Sequence, residues 1–424
     1  STAVPPSTTA ASAVETLDTQ AAWVIDVLNG AAFGEAEVGL RFSEVLLAYV
    51  PAPGFVQVVA ELRSSVSQDW TEGARTEVPN GAAIELDTDS GPWLMSISVD
   101  DDGRIETLLL QPAAPELTDP PQSLDELVER LSAFGRVSVQ VADVSSGTCQ
   151  PVFASADDAV RPIGSTFKLY VLGAVADAVA RGDIAWDDEI EIRDDLKSLP
   201  SGTFQTRPAG SVATVREFAD AMISASDNTA TDHLMDLVGR DAVETALADY
   251  GNRHQDRNRP FPNTRELFVL KLTAPDDVVD AWLAGGEDER RTLLGDPIAG
   301  LEVTVDDAVG WVEPRLIDDV EWFADGTSQC WVLAGLVERA NNPDIAEVRD
   351  ILSINPGVAY EPARWSYVGY KGGSEPGVLN LAWYLESVDG EAYTYVVNVT
   401  NPDTLLPDQQ IVDLAAAGFS LIQG

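Results

Sequence analysis

The sequence predicts an α+β protein built from two domains. Three observations carry this. Helical patterns precede alternating strand patterns in the first quarter of the chain. Further on, two strand patterns (136–155) and three more (365–399) bracket a long helical region, which predicts one antiparallel sheet flanked by helices. Between these regions lies the proline-rich segment PAAPELTDPPQ (112–122), a boundary by composition. A length of 424 residues accommodates two or three domains.

Residues 1–16 begin STAVPPSTTAASA, small and rich in Pro and Thr, and predict a linker. Over 17–115, AAWVIDVLNG, SEVLLAYV and GFVQVVAELRSSV carry apolar residues at three- and four-residue spacing and predict helices. AAIELDT, WLMSISVD and RIETLLLQP alternate, with DDG turning between the last two, and predict strands. The second domain is predicted over 123–424. It opens with SLDELVERLSAF, an amphipathic helix with Ser123 as N-cap. RVSVQVAD and CQPVFAS read as strands. Helices follow to about residue 350, then the strands WSYVGYKGG, GVLNLAWYLES and EAYTYVVNV, and a closing helix DQQIVDLAAAGFSLI.

Charge excludes whole classes of partner. Seventy Asp and Glu against 26 Lys and Arg give a net charge of −44, a field that repels nucleic acid and anionic lipid. No run of 18 apolar residues occurs, so no membrane-spanning segment is predicted. The opening stretch reads like what remains after a leader is removed, so a secreted or cell-envelope location is expected. Two cysteines, Cys149 and Cys330, lie 181 residues apart. Cys330 sits in the apolar run CWVLAGL, and two free buried thiols are expected. With only His233 and His254, and no CxxC, HxxxH or HExxH spacing, neither a transition metal nor a cofactor is expected. His233 is expected to pack structurally and His254 to lie on a surface loop.

Lysine is the scarce residue. There are four, Lys168, Lys197, Lys271 and Lys371, against 22 arginines. Lys168 ends Ser165-Thr166-Phe167-Lys168, just after Gly164 and ahead of an apolar helical run. A helix N-terminus favours a developing oxyanion there, and an amine three residues on lies one turn along the same face. A serine needs such a base to become nucleophilic, and a lysine serves if burial lowers its pKa. A second cluster, Ser226-Asp227-Asn228, interrupts two helical stretches. It can present Ser226 and Asn228 into a cleft while Asp227 braces the backbone. A third, Lys371-Gly372-Gly373-Ser374, follows an apolar strand, and its glycines let a substrate approach the strand edge.

Each cluster also has an ordinary reading, as a helix cap or a strand end. All three in this order arise by chance on the order of once in a thousand sequences. Together they resemble the motif set of class A β-lactamases and penicillin-binding proteins. The stretches IRDDLKSLPSGTFQ, VEWFA, INPGV and YKGGSEPGVL look like a two-domain actinobacterial family of serine hydrolases. That family includes the cephalosporin-esterase-like protein of clavulanic acid clusters and related lipoproteins. The resemblance implies a β-lactamase/transpeptidase-like second domain over 123–424. It also implies a first domain with the cone-shaped fold of steroid isomerases and NTF2-like proteins. The precursor has room for a lipid anchor.

By the same resemblance Ser165 is the acylated nucleophile and Lys168 its base. Ser226 relays a proton to the leaving group. Lys371 holds that network and attracts a substrate carboxylate. Asn228, Gly373 and Ser374 bind substrate, with the N–H groups of Ser165 and Ser374 as oxyanion donors. The substrate would be a small molecule: a β-lactam, an ester, or a cell-wall peptide of the D-Ala-D-Ala type. A weakly catalytic protein that binds or senses β-lactams or peptidoglycan fragments is the rival reading. Two departures matter. Gly372 stands where the motif usually has Thr or Ser. Glu266, in NTRELFVLKL, is the candidate base for deacylation, but its surroundings depart from the Arg-x-Glu-x-x-Leu-Asn pattern, which disfavours an efficient lactamase. The segment 272–326 is expanded relative to small lactamases and is expected to reshape the cleft's edge.

Overall fold

A computed structural model describes residues 9–43, 46–47, 50–67, 69–78, 81–100, 102–112, 117–155, 159–309 and 311–422. The chain divides into two compact units, 1–118 and 119–424.

Among the described residues of the first unit, helices α1 (Thr9–Leu28), α2 (Glu35–Arg41) and α3 (Ala52–Ser65) precede strands β1 (Thr71–Val78), β2 (Gly81–Asp87), β3 (Trp93–Val99) and β4 (Ile105–Pro112). The strands form one antiparallel sheet in sequential order. Trp23, Phe42 and Phe55 pack with Ile84, Leu86 and Met95 in its core, and Phe42 meets Phe55 edge-on at 4.9 Å. Two expectations change. The linker does not extend to residue 16: α1 begins at Thr9, because TAASAVET contains good helix formers and no proline. Residues 1–8 lie outside the described residues, as does part of the helix expected over SEVLLAYV. Strand β1 was not anticipated, because TEGARTEV is a polar edge strand without apolar alternation.

The second unit is built on a five-stranded antiparallel sheet. Its strands are β5 (Arg136–Asp143), β6 (Gln150–Ala154), β11 (Trp365–Glu375), β12 (Val378–Ser387) and β13 (Ala392–Thr400). Their order is β11-β12-β13-β5-β6, so early and late strands join as the pattern predicted and β11 is left as an edge. Strand β13 is buried along its whole length, which requires cover on both faces. Alternation sorts the side chains. Trp383 and Tyr395 stack at 5.3 Å on one face, where the Tyr395 hydroxyl donates to Ala415 O of the closing helix. Ala382 and Val396 join the large core on the other face.

That core centres on α5 (Lys168–Ala180), buried on nearly every side. Around it stand α6 (Val215–Ser224), α7 (Asn228–Val238), α8 (Arg240–Asp249) and α13 (Gly326–Arg339). The remaining helices are α4 (Leu124–Leu131), α9 (Thr264–Phe268), α10 (Asp276–Ala284), α11 (Glu287–Gly295), α12 (Val305–Val309), α14 (Glu347–Ser353) and α15 (Asp408–Gly418). Two small ladders were not anticipated: β7 (Arg161–Pro162) with β10 (Phe323–Ala324), and β8 (Glu189–Glu191) with β9 (Val212–Thr214). Ser123 caps α4 through Glu126 N, as its sequence indicates.

The cysteines are a correction. Cys149 and Cys330 form a disulfide, with α-carbons 6.2 Å apart, rather than two free thiols. The turn joining β5 to β6 lies against α13, a proximity that 181 residues of separation conceal. No helix among the described residues is long and apolar enough to cross a membrane.

Candidate active site

Ser165 lies in a single 3-10 turn, Gly164–Phe167, that leads directly into α5. Lys168, the first residue of α5, is fully buried. Its Nζ lies 3.2 Å from Ser165 Oγ, 3.0 Å from Ser226 Oγ, 2.6 Å from Asn228 Oδ1 and 2.6 Å from Ser226 O. One amine therefore joins the first two motifs.

Ser226 lies between α6 and α7 with φ 56°, a left-handed conformation that costs a non-glycine residue about 1 kcal/mol or more. Its carbonyl is held by Lys168 Nζ and by the Ser201 hydroxyl at 2.8 Å. Asp227 supplies the rest of the brace. One carboxylate oxygen caps α7 through Ala230 N at 2.7 Å. The other accepts from Thr203 N at 2.6 Å and Phe204 N at 2.8 Å. The Asp227 side chain leaves no room for a side chain at Gly202, whose φ is +91°. Asn228 donates to Leu199 O at 3.0 Å while accepting from Lys168.

The third motif is the free edge of the sheet. Lys371, buried, donates to Ser226 Oγ at 3.0 Å and to Gly372 O at 2.6 Å. The Ser226 hydroxyl thus bridges the two lysines. Gly373 abuts the Ser165 turn: a β-carbon there would stand 2.5 Å from Ser165 N and 2.7 Å from Thr166 N. Gly164, at φ +48°, is the other half of this close approach, its β-carbon position 3.0 Å from Ser374 N. The structure therefore brings Ser165, Lys168, Ser226, Asn228, Lys371, Gly373 and Ser374 into one cleft.

Burial drives the Lys168 amine down to about 7, partly opposed by the negative charges of Asp227 and Asp232. Lys371 is pushed well below its ordinary value by burial and by the neighbouring Lys168. Among the described residues, neither cleft lysine has a carboxylate in ion-pair contact. Lys197, in contrast, pairs with Asp194 at 2.9 Å, and Lys271 with Glu321 and Glu375.

The Glu266 carboxylate is engaged by neighbours of its own. Its Oε1 accepts from Arg240 Nη2 at 2.7 Å and its Oε2 from Asn263 N at 2.8 Å, while Asn263 Oδ1 accepts from Glu266 N in return. This is a capping box at the start of α9, and none of these bonds reaches Ser165, Lys168 or Ser226. The spacing Asn263-x-x-Glu266 carried that signal in the sequence. His233 packs structurally, its Nε2 accepting from Arg193 N and its Nδ1 facing Thr229 O. His254 is not simply loop surface: its Nε2 lies 2.6 Å from buried Asp325.

Sequence reasoning missed two supports. Behind the nucleophile, Asn380 donates to Thr166 Oγ1 at 2.8 Å and to Gln329 Oε1 at 2.7 Å, and accepts from Asn398 at 2.9 Å. These amides come from β12, α13 and β13, and no local pattern connects them. Asp232, fully buried, accepts from Thr264 N and Arg265 N and clamps α9 onto α7. Burial raises its carboxyl to about 7.

Residues 121–288 match the sequence model described as the β-lactamase enzyme family. Residues 14–105 match the model described as ORF 12 gene product N-terminal. No curated protein matches the chain. Similar solved structures include the β-lactamase from Sphaerobacter thermophilus (22% identity, 69% of this chain, 91% of that chain, TM-score 0.48). PBP-A is another (17% identity, 72% and 99%, TM-score 0.47), as is an ancestral class A β-lactamase (20% identity, 70% and 95%, TM-score 0.48).

Proposed function

We propose that the second domain, which has a β-lactamase-like fold, works as a serine acyl hydrolase through an acyl-enzyme on Ser165. The observation that carries this is the bridging of Ser165, Lys168, Ser226 and Lys371 by direct hydrogen bonds, with the Lys168 amine near 7. A neutral Lys168 takes the Ser165 proton as Oγ bonds to the substrate carbonyl carbon. The carbonyl oxygen becomes an oxyanion facing the N–H groups of Ser165 and Ser374. As the scissile bond breaks, Ser226 passes a proton to the leaving group and is itself reprotonated through the lysines. Water then hydrolyses the ester on Ser165.

The substrate is a β-lactam, ester or peptide carrying a carboxylate. Within that class the commitment of Glu266 to Arg240 and Asn263 favours slow deacylation. The same observation favours a second reading, a protein that is acylated and then holds its ligand as a sensor or sink. Export is part of the proposal, supported by the Cys149–Cys330 disulfide, which an oxidising compartment sustains. For the first domain we propose the cone-shaped NTF2-like fold, on the strength of its helices followed by a four-stranded antiparallel sheet.

Intact-mass spectrometry with a penicillin, a cephalosporin and an activated ester tests the mechanism. Adducts are expected on the wild-type chain, none on Ser165→Ala, and very few on Lys168→Ala. Absence of both adduct and turnover on all three probes would overturn the acyl-enzyme reading.

A further inference from the structure

The two cleft lysines are an anomaly of charge. A chain with 70 acidic residues places a carboxylate against Lys197 and two against Lys271, yet none in contact with Lys168 or Lys371 among the described residues. Lys371 lies beside a free sheet edge with no carboxylate in ion-pair contact among the described residues, and an anionic ligand group bound there would favour its protonated form and complete the site. The neutral donor that would share such an anion is not at position 372, because Gly372 has no side chain. Its place is already filled. A β-carbon on Gly372 would overlap the Tyr370 hydroxyl and stand 2.9 Å from Tyr370 Cζ. The phenol of Tyr370 therefore occupies the space that a side chain at 372 would take.

Three further facts fit a donor rather than a packing residue. The Tyr370 ring is fixed from both sides: it lies 5.1 Å from the Trp383 ring at 30°, and a β-carbon on Gly357 would stand 2.5 Å from its Cζ. Its hydroxyl has no hydrogen-bond partner among the described residues. The residue is partly exposed, so that hydroxyl is not sealed in the core. Burial of the ring pushes the phenol's pKa up, which keeps it an O–H donor at any physiological pH. Tyr370 and Gly372 share one face of β11, while Lys371 and Gly373 share the other. Because β11 is the free edge of the sheet, Lys371 and Tyr370 flank that edge from its two faces.

We infer that the Tyr370 hydroxyl is a substrate-recognition donor that, together with Lys371, binds the carboxylate of the substrate. This rests on the acyl-hydrolase reading of the cleft and names the group that decides which acyl compounds it accepts. The test uses non-covalent binding, so that it does not depend on acylation. Benzylpenicillin and its uncharged methyl ester are titrated calorimetrically into Ser165→Ala and into Ser165→Ala/Tyr370→Phe. The expected result is a loss of about tenfold or more in affinity for the carboxylate probe on removing the hydroxyl, with the ester changed less than twofold. Equal affinity of the two variants for benzylpenicillin, an equal loss for both probes, or no binding of either probe to Ser165→Ala would overturn it. Acylation of the wild-type chain is read separately by mass. A wild-type chain that binds the probes but never acylates overturns the hydrolase reading and leaves the binding comparison to decide Tyr370.

Discussion

Gly373 approaches Ser165 so closely that one added carbon on Gly373 would stand 2.5 Å from the Ser165 nitrogen. The sheet edge and the nucleophile's turn are thus a single surface, and the distance between them sets the width of the proposed oxyanion site. Gly373→Ala is expected to cut the acylation rate about 100-fold or more by forcing the edge away from the turn. Stopped-flow acylation with a chromogenic cephalosporin reads it. An acylation rate within threefold of wild type would mean that this contact does not set the geometry.

Acylation should depend on pH through Lys168. The base form is the neutral amine, so the rate is expected to rise with pH through an apparent pKa of about 7 and then level off. The stability sign follows separately. A lysine whose pKa falls on folding binds fewer protons folded than unfolded between about 7 and its ordinary value of 10.5. Its contribution therefore opposes folding at and below pH 7 and is relieved as pH rises above that. Lys168→Arg retains a cation but cannot give up its proton, and is expected to lower acylation at least 100-fold across the pH range. A Lys168→Arg chain with a normal profile would remove Lys168 as the base.

Asp227 is expected to be a stability residue with catalytic consequences. Asp227→Ala strands the N–H groups of Thr203, Phe204 and Ala230, at a cost of about 3 kcal/mol or more. It also releases Ser226 from its left-handed backbone. Urea denaturation should show the loss, and acylation at permissive temperature should fall as Ser226 loses its place between the lysines. Full acylation in a destabilised Asp227→Ala chain would show that Ser226 is held without it.

Glu266→Gln should behave in the opposite way. Removing the charge facing Arg240 is expected to cost about 1–2 kcal/mol in denaturation while the lifetime of the acyl adduct stays within twofold. A lifetime extended tenfold or more, with stability unchanged, would instead give Glu266 the deacylating water.

What could be read from the sequence tracks the range over which each feature is encoded. Ser165 and Lys168 are one helical turn apart, and Ser226 to Asn228 are consecutive, so local spacing exposes them. The scarcity of lysine sharpened the choice of Lys168 and Lys371. The strands of the large sheet were legible because their apolar runs are long. Polar edge strand β1 was not, since TEGARTEV lacks alternation. The Cys149–Cys330 bond, the Asn380–Gln329–Asn398 amide network and the fit of Tyr370 over Gly372 depend on which residues face each other across elements. For the first two, the partners come from segments far apart in the chain. The Asn263–Glu266 capping box, by contrast, is a local feature whose three-residue spacing is visible in the sequence.

The cleft lysines, which have no carboxylate in ion-pair contact among the described residues, also bear on kinetics. An anionic ligand must cross the field of a chain with net charge −44 before it reaches them. Dissolved ions screen that long approach more effectively than they screen buried amines at the end of it. Association of a carboxylate-bearing ligand should therefore speed up as salt is added from low ionic strength, the reverse of electrostatic steering, and an uncharged ester should show little change. Stopped-flow association rates for the two ligands across a salt series would reveal the contrast. Parallel slopes for both would mean that the protein's overall charge does not act at the cleft. The protein's acidity would then serve as a kinetic barrier against an anionic substrate, lowest in saline surroundings.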